Sequence, residues 1–173
     1  LFVMASTTLF DFTSSPDAAT EWRIINDVVM GGVSESAFEA TEDGAVFSGT
    51  VSLAQGGGFA SVRAPERDRD LSDAAGLSLR LRGDGKRYWV TTYTDPGGAV
   101  SYRMPVEPSA QWTTLTVPFD RLVPYRRGTQ VPDAPPFAPA HLRTLGFLIA
   151  DAQQGPFRLE VAWIRAVKSA ESS

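Results

Sequence analysis

LSLRLRGDGKRYWVTTY, residues 77–93, is the stretch from which the fold is read. Leu77, Leu79 and Leu81 alternate with Ser78, Arg80 and Arg82. Successive side chains on a strand point to opposite faces. A period of two therefore describes a strand with one dry face and one that meets water or a ligand. Gly83-Asp84-Gly85 supplies a tight turn, and residues 88–93 are expected to return beside the first strand as a hairpin. Arg82-Gly83-Asp84 has the letters of an integrin ligand, but Asp and Gly suit a tight turn wherever one is needed.

The same punctuation recurs outward from this unit. Residues 9–12, 22–25, 36–40, 45–53 and 59–63 read as strands before it. Residues 101–106, 112–119, 144–150 and 157–167 read as strands after it. Glu42-Asp43-Gly44, Gly56-Gly57-Gly58, Asp95-Pro96-Gly97-Gly98 and Gly155-Pro156 break the chain between them. In residues 59–63, Phe59, Ser61 and Arg63 share one face and Ala60 and Val62 the other. Arg63 is thus held at a definite place on a sheet, to pair with a carboxylate or to face a ligand. Helical turns are expected only near residues 17–21, 119–122 and 139–142. Residues 123–139 hold five prolines and read as a long connection. About ten short strands with frequent Gly and Pro turns argue an all-β sandwich or barrel. One domain is expected over residues 9–168, with residues 1–8 and 169–173 as flexible ends.

Composition narrows the function classes. The chain has 173 residues, 43% of them hydrophobic and 21% charged, with a net charge of −4. That size supports a real core, and no basic footprint for nucleic acid is present. No apolar run approaches the ~20 residues of a membrane span. Without cysteine, disulfides, thiolate nucleophiles and cysteine zinc sites are excluded. The one histidine, His141, follows the proline-rich loop, and no G-x-S-x-G turn offers it a serine partner. A structural or solvated role is expected for it. LFVMASTT at the start lacks the basic residues and the length of a signal peptide. A cytoplasmic location is expected, with Met4 as initiator.

A second stretch, NDVVMGGVSES at 26–36, has the look of backbone shape rather than reactive chemistry. Asn26 and Asp27 favour turns. Val28, Val29 and Met30 are apolar, and Gly31 and Gly32 permit angles a side chain would forbid. This is an apolar plug between two turns, or a loop that turns Asn26, Asp27 and Ser34 toward a ligand. With Trp22, GGFASVR at 57–63, RGDGKRY at 82–88, GFLIADAQQGPF at 146–157 and the closing LEVAWIRAV, it resembles the signature of the complex I intermediate-associated protein 30 family. The blocks fall in the family's order across residues 22–167.

That resemblance implies a jelly-roll β-sandwich of the galactose-binding-like type, a fold also used by many carbohydrate-binding modules. The family's best-known members are assembly factors for respiratory complex I. The resemblance therefore implies a non-enzymatic, chaperone-like module whose partner is a protein, a respiratory-complex subunit or an assembly intermediate. The matching motif residues with a structural look are Trp22, Gly31, Gly32, Ser34, Gly83, Asp84, Gly85, Gly155 and Phe157. Asn26, Asp27, Arg63 and Asp151 match as well. With no presequence or large extension, and with 14 Arg against 2 Lys, the chain resembles a prokaryotic, stand-alone member.

Three classes of function remain in view. Protein binding comes first. A carbohydrate-binding module comes second, with Trp89, Tyr93, Tyr102, Trp112 and Tyr125 as platforms and Asn26, Arg63 and Asp151 as hydrogen-bonding groups. Such a module needs at least two exposed, coplanar aromatics. A hydrolase comes third, with Asp27, Asp84, Asp95 and Asp151 as turn carboxylates that would have to pair about 5–10 Å apart. No cofactor is expected. A structural calcium ion would need turn carbonyls and carboxylates, since no EF-hand pattern is present.

Overall fold

The strand 155–167 is the longest, and it anchors one of two sheets. The computed structural model describes residues 6–26, 34–54, 58–96 and 98–168. Thirteen strands lie within them: β1 (Ser6–Asp11), β2 (Arg23–Asn26), β3 (Glu35–Thr41), β4 (Gly44–Val51), β5 (Ala60–Arg63), β6 (Gly76–Arg82), β7 (Tyr88–Tyr93), β8 (Ser101–Val106), β9 (Thr113–Pro118), β10 (Val123–Arg126), β11 (Thr129–Gln130), β12 (Thr144–Ile149) and β13 (Gly155–Val167). Sheet A runs β3-β4-β13-β6-β9, with β1 also paired to β13. Sheet B runs β11-β10-β8-β7-β12-β5-β2. All strand pairs are antiparallel.

Alternation explains the layering. Leu77, Leu79 and Leu81 of β6 and Phe47 and Leu159 of sheet A are fully buried. They meet Val62, Tyr88, Val90, Leu145, Phe147 and Ile149 of sheet B, equally buried. Two half-apolar sheets can hide their dry faces only against each other. Trp22 closes one end of this core at 6% exposure. Its ring stacks on Phe38 at 4.8 Å and meets Phe12 edge-on at 5.6 Å. The short 3₁₀ turns fall at Pro16–Glu21, Phe119–Arg121 and Pro139–His141, where sequence puts helical turns. Among the described residues no helix is long and apolar enough to cross a membrane.

Three sequence expectations are corrected. Gly83-Asp84-Gly85 does not close a hairpin, because β6 belongs to sheet A and β7 to sheet B. It carries the chain across the edge of the sandwich. Asp84 clasps that crossing: its carboxylate accepts from the Tyr88 hydroxyl (3.0 Å) and from the backbone N–H of Lys86 (3.1 Å) and of Arg158 (2.8 Å). A Cβ on Gly83 would strike the Pro108 carbonyl at 2.7 Å, so the crossing also needs a bare backbone there. Residues 123–139 are not all connection either. β10 and β11 form a small hairpin through Arg127 (φ 50°) and Gly128 (φ 79°), and β10 adds to sheet B beside β8. β1 begins at Ser6, ahead of the expected residue 9, because its pairing continues to Val167.

Several other motif positions belong to the packing and the turns. Phe157 is buried against Phe47 and Tyr88. Gly85 (φ 84°) and Gly155 (φ 110°) occupy angles that favour glycine. Ser34 is buried, and its hydroxyl accepts from the Ser52 backbone N–H at 3.0 Å. Asp27, Gly31 and Gly32 lie outside the described residues. Asn26 ends β2 opposite Ala60.

The outer face of sheet A is tied by ions. Arg82 donates twice to Glu160, at 2.6 and 2.9 Å, and lies over the Trp112 ring. These bonds hold the Glu160 carboxyl below its ordinary value of 4.5. The unfolded chain therefore takes up this proton first as pH falls, and stability is lost from about pH 4.5 downward. Urea titrations between about pH 6 and pH 3 check this. The parent should lose more stability over that window than Glu160→Gln, and equal slopes would contradict the linkage.

Candidate functional site

The outer face of sheet B is built from five strand-pair registers. Arg23 pairs with Arg63, Arg63 with Gly146, Gly146 with Thr91, Thr91 with Arg103, and Arg103 with Val123. One row of residues thus crosses six strands: Arg, Arg, Gly, Thr, Arg, Val. The neighbouring row runs Ile25, Ser61, Leu148, Trp89, Pro105. On the other side Thr144 pairs with Tyr93, and Ser101 with Tyr125. Residues of one row share a sheet face, and their diagonal neighbours are within reach of long side chains.

Diagonal reach is how the two inner arginines are held. The Arg63 guanidinium leans from β5 over the Tyr93 ring on β7, at 4.0 Å from its centroid. Arg103 comes from the other side and lies against both Trp89 (4.5 Å) and Tyr125 (3.9 Å). Both arginines therefore gather on the outer face of β7. Between them are Gly146, which has no side chain, and Thr91, which has a short one. A Cβ on Gly146 would run into the backbone of Val62 and Arg63, so β5 and β12 can approach this closely only with glycine. Arg63 is further covered by Gly98 (φ 62°), where a Cβ would come within 3.1 Å of Arg63 Nη1.

Arg103 is the most unusual side chain of this face. It is 7% exposed, and no carboxylate pairs with it among the described residues. Its Nε is buried without a hydrogen-bond partner, as is that of Arg63. Burial lowers the pKa of the Arg103 guanidinium, against the opposing influence of Tyr125, Tyr93 and Asp151. Buried charges are ordinarily paired and hydrogen-bonded, because desolvation is costly. At the Arg63 end the face opens into a cavity of about 190 Å³ lined by Glu21, Arg23, Arg63, Glu66, Gly98 and Thr144, among others.

The sequence candidates divide between two faces and two sheets. Arg63, Trp89, Tyr93 and Tyr125 share the outer face of sheet B. Asp151 joins them at the end of β12: its Oδ2 accepts from the Trp89 indole N–H (2.8 Å) and pairs with Arg87 (3.2 Å). Asp151 and Ala152 both have left-handed backbones (φ 64° and 58°). Tyr102, offered by the sequence as a platform, points instead into the sandwich. It is 5% exposed and its hydroxyl donates to the Pro135 carbonyl at 2.7 Å. Trp112 stands beside sheet A over Arg82. Arg103, Thr91 and Gly146 are not among the sequence candidates. Alternation alone would place Arg103 opposite the inward pair Tyr102 and Met104.

Of the turn carboxylates that the sequence offers for hydrolysis, Asp27 lies outside the described residues. Asp84 is occupied by structural donors, and Asp151 by Trp89 and Arg87. Among the described residues no cluster of three His, Cys, Asp or Glu could hold a metal ion. The row predicts one clear stability effect. Gly146→Ala should destabilise the protein by about 1–3 kcal/mol, because the new methyl must push β5 from β12. Chemical denaturation reads this directly, and an unchanged midpoint would contradict the close approach.

The fold recurs among solved structures. The family 11 carbohydrate-binding module of the cellulosomal cellulase Lic26A-Cel5E of Clostridium thermocellum is 14% identical, with a TM-score of 0.69 over 96% of each chain. The family 11 module from Clostridium thermocellum in complex with a β-1,3-1,4-mixed-linked tetrasaccharide is 15% identical, with a TM-score of 0.69 over 99% of this chain and 100% of that one. An agarase is 15% identical with a TM-score of 0.63, over 96% of this chain and 25% of its own. These likenesses show the fold, a jelly-roll sandwich of the galactose-binding-like type. No curated protein matches the chain. The family model described as complex I intermediate-associated protein 30 (CIA30) matches residues 10–161, and the chain belongs to that family.

Proposed function

We propose that this chain is a non-catalytic binding domain of the assembly-factor kind, which holds a partner protein on the outer face of sheet B. The observation that carries the reading is the row through Arg63, Gly146, Thr91 and Arg103. It brings two arginines onto one strand, buttresses them with three rings and leaves them without carboxylate partners among the described residues. The family's description, which names an intermediate of complex I, supports a respiratory-complex subunit or assembly intermediate as the partner. Among the described residues, Leu53 at 40% is the exposed large hydrophobic side chain. Recognition at this face is thus polar and electrostatic rather than greasy, which favours specificity and association rate.

A second reading, carbohydrate binding, is favoured by Trp89, Tyr93 and Tyr125 sharing that face. Against it, the Trp89 and Tyr125 planes are tilted by 60°, and each has a guanidinium over it. They do not form a coplanar platform on which a sugar ring could stack.

A photoreactive benzophenone side chain at Leu148, with a control at Thr114 on the outer face of sheet A, separates the readings in the native host. The Leu148 probe should form an adduct with a respiratory-complex subunit, and the Thr114 probe should not. Adducts from Thr114 alone would contradict the proposal. Binding on a glycan array that is lost in Arg63→Ala would transfer the face to the second reading.

A further inference from the structure

Arg103 is held in a way that ordinary structural arginines are not. On sheet A, Arg82 has a bidentate carboxylate, and its desolvation is offset by two short bonds. On sheet B, Arg103 is more deeply buried, lies against two neighbouring rings, and lacks any such acceptor among the described residues. Rings supply part of the compensation a cation needs, roughly 0.5–2 kcal/mol each. They fix the guanidinium plane but cannot accept its N–H bonds. Nε of Arg63, which reaches the same strand from the other side, is left in the same condition. Two guanidinium groups on one sheet face, neither paired with a carboxylate among the described residues, describe a receptor for an acid that comes from outside.

We infer that Arg103 and Arg63 form a carboxylate receptor, and that the partner docks through an acidic segment whose Asp or Glu side chains pair with the two guanidinium groups. This deepens the partner-protein reading above and rests on it. Carboxylate suits the fork of a guanidinium. A dianion is disfavoured, because Glu21 and Glu66 line the adjoining cavity and Asp151 stands beside Trp89. An acidic polysaccharide is disfavoured for another reason. Its rings would need aromatic faces, and those of Trp89, Tyr93 and Tyr125 already carry guanidinium groups. A peptide needs none of them. The protein is itself acidic, with a net charge of −4. Arginines without acid partners on one face therefore mark a local complement to an acidic segment, not a general attraction for acids.

The test uses the whole chain and two end-capped decapeptides, one alternating glutamate with serine and one alternating glutamine with serine. Calorimetry at low and moderate salt should show the glutamate peptide binding, with affinity falling as salt rises. The glutamine peptide should bind at least ten-fold more weakly. Arg103→Met should reduce glutamate-peptide affinity at least ten-fold while melting no lower than the parent, since methionine keeps the ring contacts and removes the buried charge. Arg63→Gln, at a less buried position, should weaken binding independently. Equal binding of both peptides, or affinity unchanged in both variants, would overturn the inference. So would polygalacturonate binding that depends on Arg103 while the glutamate peptide fails. Failure of the peptide with a respiratory-subunit adduct still formed from Leu148 would remove the carboxylate chemistry and leave the partner-protein reading standing. Loss of the adduct as well would remove both.

Discussion

Cross-strand register is the constraint on which the site depends. β12 is hydrogen-bonded on one side to β5 and on the other to β7, and both registers pass through Gly146. A strand's side chains alternate with a strict period of two. A slip of one residue in either register would therefore turn Arg63 or Thr91 into the core. That slip is blocked by burial: Val62, Val90, Phe147 and Leu145 must all face inward together. The hydrophobic core thus fixes where the arginines emerge.

The two faces of the sandwich use the same residue types to opposite ends. Sheet A pairs Arg82 with Glu160 and stacks it on Trp112, and Arg165 lies over Trp163 at 3.7 Å. The Arg82 charge is neutralised within the chain by Glu160. On sheet B two neighbouring rings lie against Arg103, and no carboxylate pairs with it among the described residues. Cost decides how the contrast is interpreted. A buried cation without a partner is among the expensive features a small domain can carry. Its cost is intelligible when a partner completes the site. The left-handed backbones of Asp151 and Ala152 at the edge of the same face add a second local strain, and such strain clusters at sites of function.

Much of this architecture is legible in the sequence, for definite reasons. The alternation of Leu77, Leu79 and Leu81 marks β6, and residues 88–93 and 101–106 coincide with β7 and β8, because half-buried antiparallel strands impose a period of two. Arg63 is placed on the outer face by the same period. The crossing at Gly83–Gly85 is not legible, since turn residues specify local angles and not the sheet the next strand will join. β10 is hidden by Pro124, a residue that argues against a strand interior. It is tolerated next to the sheet edge, where only the two-residue β11 lies beyond. Tyr102 is misplaced by its residue type. Aromatic chemistry suggests a platform, whereas alternation with Arg103 would have put it inside. The row itself is out of reach of local patterns, because it joins residues 23, 63, 146, 91 and 103 through pairings between distant strands.

The most direct measurement is the nuclear magnetic resonance of the arginine Nε–Hε groups during a titration with sodium acetate at constant ionic strength. The Arg63 and Arg103 signals should move together and saturate, while those of Arg82 and Arg165 on sheet A stay in place. Shifts of similar size at all four, or movement confined to sheet A, would contradict the placement of the receptor on the outer face of sheet B.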